Sequence, residues 1–296
     1  MANEDIVVYT RPSLHHPKMV AAFAGWADVT QAGTSAIFYL LRKLKAKEFA
    51  NITAEEFYDF PANRPVATIS QGVVQSVRLP SSNFYYAKGK TGEHDIVLLL
   101  GIEPNLKWQR YINSMLDFAD SWGVDQIYLV GGLYDAVTHT MEAKITGVAS
   151  QEHLTQLLRE HHIETLDYQG PSSIYTLILA KCKERGVEAI NLWGHVPFYI
   201  QAESNPLTCL ALLTKLTELL EIGLELHDIK TAASLFSNKL DQLMARNAKL
   251  SQYIRTLEKQ YQIRGRASMK DFESTDKIIK EVEDFLKEEH DENTPF

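Results

Sequence analysis

"AAFAGWADVTQAGTSAIFYLLRKL", residues 21–44, is the stretch whose reading decides the fold. It continues an apolar run, "MVAAFAG" (19–25), that is short, uninterrupted by polar residues and closed by glycine. That pattern predicts a strand buried on both faces. Gly25 then permits a tight turn. A helix is expected over 30–45, with Ile37, Leu40, Leu41 and Leu44 on its apolar side. Gly33, Thr34, Ser35 and Ala36 keep that helix slim enough to lie close to a sheet. Asp28 is placed to cap it, and Gln31 follows at capping-box spacing, although that box prefers Ser or Thr at its first position. The turn carries neither G-x-G-x-x-G nor the lysine of a phosphate-binding loop. Its place after a strand and before a helix still makes Gly25, Trp26 and Asp28 candidates for a ligand turn.

The same alternation continues along the chain. "HDIVLLLG" (94–101) reads as a second core strand, followed by a helix near 106–122 with Trp108, Ile112, Met115, Phe118 and Ala119 on one face. "DQIYLVGG" (125–132) and "EAINLWGHV" (188–196) are further strands, with helices expected at 172–185 and 206–222. Continuous apolar strands flanked by helices predict a mainly parallel sheet covered on both faces, a three-layer α/β/α fold. "VATISQGVVQSVRLPSSNFYYA" (66–87) differs: it alternates and carries turn residues, so antiparallel strands or a hairpin at the sheet edge are expected there.

After residue 227 the strand signal stops. Ile229, Phe236, Leu243, Leu250 and Leu257 fall on heptad d positions, and Ala233, Leu240, Asn247, Ile254 and Tyr261 on a positions. This predicts one long helix with a coiled-coil seam, in which a buried Asn247 fixes register. "IRGRASMKD" (263–271) breaks the pattern, and a second helix follows with Phe272, Ile279, Val282 and Leu286 on one side. The expected organisation is an α/β/α domain over 1–227 and a helical hairpin over 228–296, ending in a frayed acidic tail, "EEHDENTPF". The hairpin packs on its own domain or serves as an oligomerisation or partner-binding arm.

A net charge of −8 argues against nucleic acid as a partner, because phosphate binding needs a clustered basic surface. The longest basic cluster, Arg264 to Arg266, is short. No stretch approaches the ~20 apolar residues of a membrane span, and "MANEDIVVY" lacks the basic-then-apolar order of a secretion signal. Cys182 and Cys209 are far apart and suit free buried thiols in a reducing cytoplasm. No H-E-x-x-H, paired-cysteine spacing or G-x-S-x-G occurs, so no metal, cofactor or catalytic residue is assigned.

The polar residues expected beyond the strand ends form a candidate crevice: Gly25, Trp26, Asp28, Arg64, Glu103, Asn105, Trp108, His139 and His195. That edge is the usual ligand site of open α/β sheets. Arg64, before a proline in "FYDFPANRP" (57–65), suits a carboxylate or phosphate, or pairs with Asp59 or Glu56. Asn105 is a ligand contact or a helix cap. Trp26 or Trp108 can stack on a base, and His139 and His195 are the candidate acid and base.

Seven segments in order, "GWADVTQAGTSAIFYLLRKL", "EEFYDFPANRP", "HDIVLLLGIEPNLKW", "GGLYDAVTHT", "ITGVAS", "YQGPSSIYTLIL" and "LWGHVPFYIQAESNP", resemble the proteasome assembly chaperone 2 family, and most closely its bacterial and archaeal branch. The resemblance runs from about residue 15 to about 260. It implies a fold similar to purine nucleoside phosphorylases, usually in homo-oligomers, in a family whose eukaryotic and some archaeal members help assemble proteasome rings. Some archaeal members dock through a C-terminal hydrophobic–tyrosine–any tripeptide; this sequence ends Thr294-Pro295-Phe296 and lacks that tyrosine. The resemblance carries over no catalytic residue. Two functions follow as expectations: a non-catalytic, oligomeric, chaperone-like interaction factor with a possible protein partner, or a nucleoside- or phosphate-type enzyme or sensor using the crevice.

Overall fold

The computed structural model describes residues 4–90, 94–264 and 275–288. The architecture is mixed α/β, with a large, mostly parallel sheet and helices, consistent with three layers. Strand β2 (Lys18–Ala24) is its centre. It pairs in parallel with β7 (Ile96–Ile102) on one side and β8 (Gln126–Asp135) on the other. Met19 to Phe23 are at most 1% exposed, which is why the run reads as apolar without alternation. The other strands of this sheet are β1 (Ile6–Val8), β3 (Lys47–Ile52), β6 (Ser82–Ala87), β9 (Ile145–Ala149), β10 (Glu164–Thr165) and β11 (Glu188–Pro197). Their order is β1-β3-β6-β7-β2-β8-β11-β9-β10. Helix α1 spans Ala32–Lys43, α2 Trp108–Ser121, α3 Leu154–Glu160, α4 Ile174–Arg185 and α5 Pro206–Leu220.

Residues 66–87 form antiparallel strands, as expected, but not at the edge of the main sheet. Strands β4 (Val66–Ser70) and β5 (Val73–Arg78) form a separate two-stranded sheet. Strand β6 lies inside the main sheet, antiparallel to both β3 and β7. A buried hydroxyl cluster fixes this junction. Ser82 Oγ lies 2.9 Å from the Tyr58 hydroxyl and 2.6 Å from that of Tyr111. Gly101, opposite Ser82 in the register, leaves room for that hydroxyl, because a Cβ there would lie 2.1 Å from Ser82 Oγ.

The chain divides into two compact units: residues 1–27, 37–130 and 147–192 in one, and 28–36, 131–146 and 193–296 in the other. In the first, the Tyr175 hydroxyl accepts from Phe23 N (2.8 Å) and donates to Val130 O (3.0 Å). In the second, a Cβ at Gly132 would lie 2.8 Å from the Ala32 Cβ, so small residues do let the first turn of α1 approach the strand backbone.

The long heptad helix is corrected by the structure. It is two helices, α6 (His227–Arg246) and α7 (Ala248–Arg264), broken at Asn247, whose backbone is extended. Asn247 is half-buried, and its Oδ1 accepts from Lys249 N (3.1 Å) and Leu250 N (3.0 Å), an N-cap rather than a buried seam residue. Leu240, Leu243, Leu250, Ile254 and Leu257 are buried within the chain, against Phe198, Tyr199 and Ile200 and against Ile278, Val282 and Leu286 of α8 (Thr275–Glu288). Phe272, most of the expected break at 263–271 and the tail from 289 lie outside the described residues.

Candidate functional site

In the first unit, β2 and β7 end side by side, with Ala24 opposite Ile102. Gly25 and Glu103 therefore leave neighbouring strand ends together. Glu103 N donates to Ala24 O at 2.8 Å, and a Cβ on Gly25 would lie 2.9 Å from that of Glu103, so glycine is required where the Glu103 side chain crosses the turn. Glu103 Oε1 accepts from Ile174 N at 2.9 Å. Ile174 opens α4, where Ser173 makes no side-chain cap bond, so Glu103 supplies both the missing acceptor and a negative charge at the positive end of the helix.

Asn105 does not cap α2. Its Oδ1 accepts from Asp59 N (3.0 Å) and Asn63 Nδ2 (2.6 Å), while Asn105 N and Leu106 N both donate to Phe57 O. Asn105 thus pins the 57–63 loop. Trp108 Nε1 donates to Pro104 O. Glu56 is bound by Lys107 and Arg110, not by Arg64, which is exposed, as is Trp26.

In the second unit, Asp28 is buried. Its Oδ1 accepts from Gly33 N (2.7 Å) and Thr34 N (3.2 Å), and its Oδ2 from Thr34 Oγ1 (2.5 Å). Asp28 caps α1 as expected. The capping box does not form: Thr30 and Gln31 are left-handed, so the chain turns between Asp28 and the helix. Burial raises the Asp28 carboxyl above its ordinary value despite the bonds from Thr34 and Gly33.

Both candidate histidines lie here and line one small cavity, of about 40 Å³. His195 is on β11, and Asp135 ends β8. His195 Nδ1 is 2.7 Å from Asp135 Oδ2, and Nε2 is 2.8 Å from Thr146 Oγ1. Burial pushes the Asp135 carboxyl up, but the hydrogen bond and charge of His195, the Ala136 N–H and the charge of Lys144 together hold it below its ordinary value. His139 sits in the loop after β8. Its backbone N–H donates to the Tyr199 hydroxyl at 2.9 Å, and that hydroxyl lies 2.7 Å from His139 Nδ1. The same hydroxyl thus serves the backbone and the ring of His139, whose Nε2 lies 3.4 Å from Asp241 Oδ1. Burial lowers the His139 pKa, against the opposing charges of Asp241 and Glu258.

Thr146, Tyr199 and Asp241 complete this arrangement and carry no motif that marks them in the sequence. Asp135 is legible as a polar residue at a strand end. Among the described residues, no group of three or more His, Cys, Asp or Glu is placed to hold a metal, and no helix is long and apolar enough to cross a membrane.

The model of the PAC2 family matches residues 22–244. The chain belongs to the PAC2 family. A PAC2 family protein of Streptomyces avermitilis is 32% identical, with a TM-score of 0.73, over 80% of this chain and 99% of that one. A proteasome-assembly chaperone homologue of Mycobacterium tuberculosis is 27% identical, with a TM-score of 0.74 and the same coverage. An archaeal proteasome activator of Pyrococcus furiosus shares the fold at 22% identity and a TM-score of 0.65, over 80% of this chain and 97% of that one. No curated protein matches the chain.

Proposed function

We propose that this PAC2 family protein is a non-catalytic, oligomeric, chaperone-like interaction factor of the cytoplasm, acting on protein partners as proteasome assembly chaperones do, on a phosphorylase-like form of the three-layer fold. One observation carries the reading. The polar groups at the strand ends are held by the chain itself: Asp28 by α1, Glu103 by α4, His195 by Asp135 and Thr146, and His139 by Tyr199. The space between the histidines, about 40 Å³, holds a water rather than a nucleoside, whose pockets run to roughly 300 Å³ or more. Family membership and the likeness to an assembly-chaperone homologue supply the rest.

The test is thermal unfolding against nucleosides, nucleotides and phosphate, alongside sedimentation of the free protein. The expected result is no saturable shift and a mass that is a multiple of 33.6 kDa. A ligand at a hundred times its dissociation constant adds about 2.7 kcal/mol. A saturable shift from one chemical class would replace this reading with an enzyme or sensor working in the crevice.

A further inference from the structure

The small cavity of the second unit has a hydrogen-bond donor in its wall that the chain itself does not use. Asn205 is 1% exposed and lines the cavity together with Thr138, His139, Lys144 and Thr208. It is the N-cap of α5: its Oδ1 accepts from Leu207 N at 3.1 Å and from Thr208 N at 3.2 Å. Those backbone N–H groups only donate, so they fix which end of the side-chain amide is oxygen. Nδ2 is the other end, turned from the helix toward the cavity. It is buried without a hydrogen-bond partner among the described residues. Buried donors are almost always met, so the occupant of the cavity is an acceptor.

The charges around the cavity say what kind of acceptor. The starts of α1 and α4 are each met by a carboxylate, Asp28 and Glu103. The start of α5 is not: its cap is a neutral amide, and its first turn holds no acidic residue. The positive end of a 15-residue helix therefore faces the cavity without an anion of its own. Lys144 adds a cation to the wall. Its Nζ donates to the Tyr261 hydroxyl at 3.1 Å, and its charge reaches as far as Asp135. Of the carboxylates nearby, Asp135 is bound by His195, Asp241 lies 3.4 Å from His139 Nε2, and Glu142 is exposed to solvent. About 40 Å³ gives roughly three water-sized positions, enough for chloride, nitrate or formate and too little for a tetrahedral phosphate.

We propose that this cavity binds a small monovalent anion, the size of chloride or formate, held by Asn205 Nδ2 at the start of α5 and by the charge of Lys144. Bound there, the anion ties the loop between β8 and β9, which carries His139 and Lys144, to α5. The site involves no turnover, and it stands apart from the function proposed above.

The experiment measures anion binding by the full chain in two ways. Thermal unfolding is followed as chloride or formate replaces gluconate, a monovalent anion too large for the cavity, at constant ionic strength. The chloride NMR linewidth reports bound chloride directly. Two variants remove the donor and keep the cap: Asn205→Ser retains an acceptor for the α5 amides, and Asn205→Asp retains one and adds a negative charge. The expected result is a saturable rise in unfolding temperature with chloride and with formate, and an excess chloride linewidth that formate competes away. Asn205→Ser should weaken binding about ten- to a hundredfold, and Asn205→Asp should abolish it. Glu142→Gln, at an exposed position, should tighten binding by removing a negative charge, and it reads the site even where an Asn205 variant fails to fold. A wild-type chain with neither a saturable shift nor an excess linewidth holds water only in this cavity, which overturns the proposal. Binding that all the folded variants leave unchanged places the anion elsewhere and overturns it too.

Discussion

The Asp28 turn offers the sharpest test of whether the strand-end carboxylates support the fold. In Asp28→Ala, the buried amides of Gly33 and Thr34 and the Thr34 hydroxyl lose their acceptor, which serves them at 2.5–3.2 Å. Loss of the N-cap of the two amides costs about 1 kcal/mol, and the buried Thr34 hydroxyl left without its acceptor costs about 1–3 kcal/mol more, so the total is about 2–4 kcal/mol. In Asp28→Asn, Oδ1 still accepts from both amides and Nδ2 meets the Thr34 hydroxyl, so the cost at neutral pH is within about 1 kcal/mol of zero. The pH dependence is separately diagnostic. Burial raises the Asp28 carboxyl above its ordinary 3.8. A raised folded value gives stability that is complete below the unfolded value and lost as pH rises through the folded one. The Asn variant has no such group, so it gains on wild type from acid to neutral pH. Urea unfolding of the three proteins at pH 4 and pH 7 reads both effects. An Asn variant as damaged as the Ala variant at pH 7, or one that loses ground to wild type as pH rises, would refute the structural account of this carboxylate.

Three further outcomes follow from packing and charge. Gly101→Ala drives a Cβ to 2.1 Å from Ser82 Oγ, which Tyr58 and Tyr111 hold in place; it should cost about 1–3 kcal/mol in urea unfolding. Asp135→Ala removes the carboxylate beside His195 and should cost about 2 kcal/mol at pH 7. Because the folded Asp135 value is depressed, its stabilisation is present above 3.8 and fades as pH falls through the folded value, so wild type and variant converge in acid, as unfolding curves across that range will show. Leu257→Ala, at a fully buried position among α6, α7 and α8, should cost about 2–5 kcal/mol, with an unfolding midpoint shift independent of protein concentration because the site is covered within one chain.

The core strands were legible because burial on both faces leaves no polar residue to interrupt them: "MVAAFAG" and "IVLLLG" are read from one property. The place of β6 was not, because its neighbours, β3 and β7, are chosen by chain connectivity, and an alternating pattern at an edge looks the same in the middle. The bulge of the β4–β5 hairpin, between Thr68 and Ile69, is likewise a matter of register, which alternation alone does not specify. Asn247 misled for a definite reason. The spacing of apolar residues on either side stays in step across a single extended residue, so the heptad count passes through the break unaltered. The residue itself favours the N-cap as strongly as any, and "NAKL" was open to that reading. At the site, Asp28 and the two histidines were visible as residue types after strands, but their partners Thr146, Tyr199 and Asp241 come from segments that only the fold brings near.

A parallel sheet flanked by helices creates anion sites without special residues, because helix N-termini with unpaired amides gather beyond the strand ends. In this chain at least two such positions are filled from within. Asp28 occupies the start of α1, and Glu103 occupies the start of α4. A phosphate arriving at either would have to displace a carboxylate that already satisfies the backbone, and it would gain nothing from the amides that the carboxylate does not already supply. The histidines follow the same logic, since each ring is hydrogen-bonded within its own chain. Beside the histidines, His139 Nε2 and Asn205 Nδ2 are buried without a hydrogen-bond partner among the described residues, and away from the strand ends every residue of β4 and β5 is exposed. The two helix N-termini are therefore closed to an incoming anion by carboxylates of the chain's own.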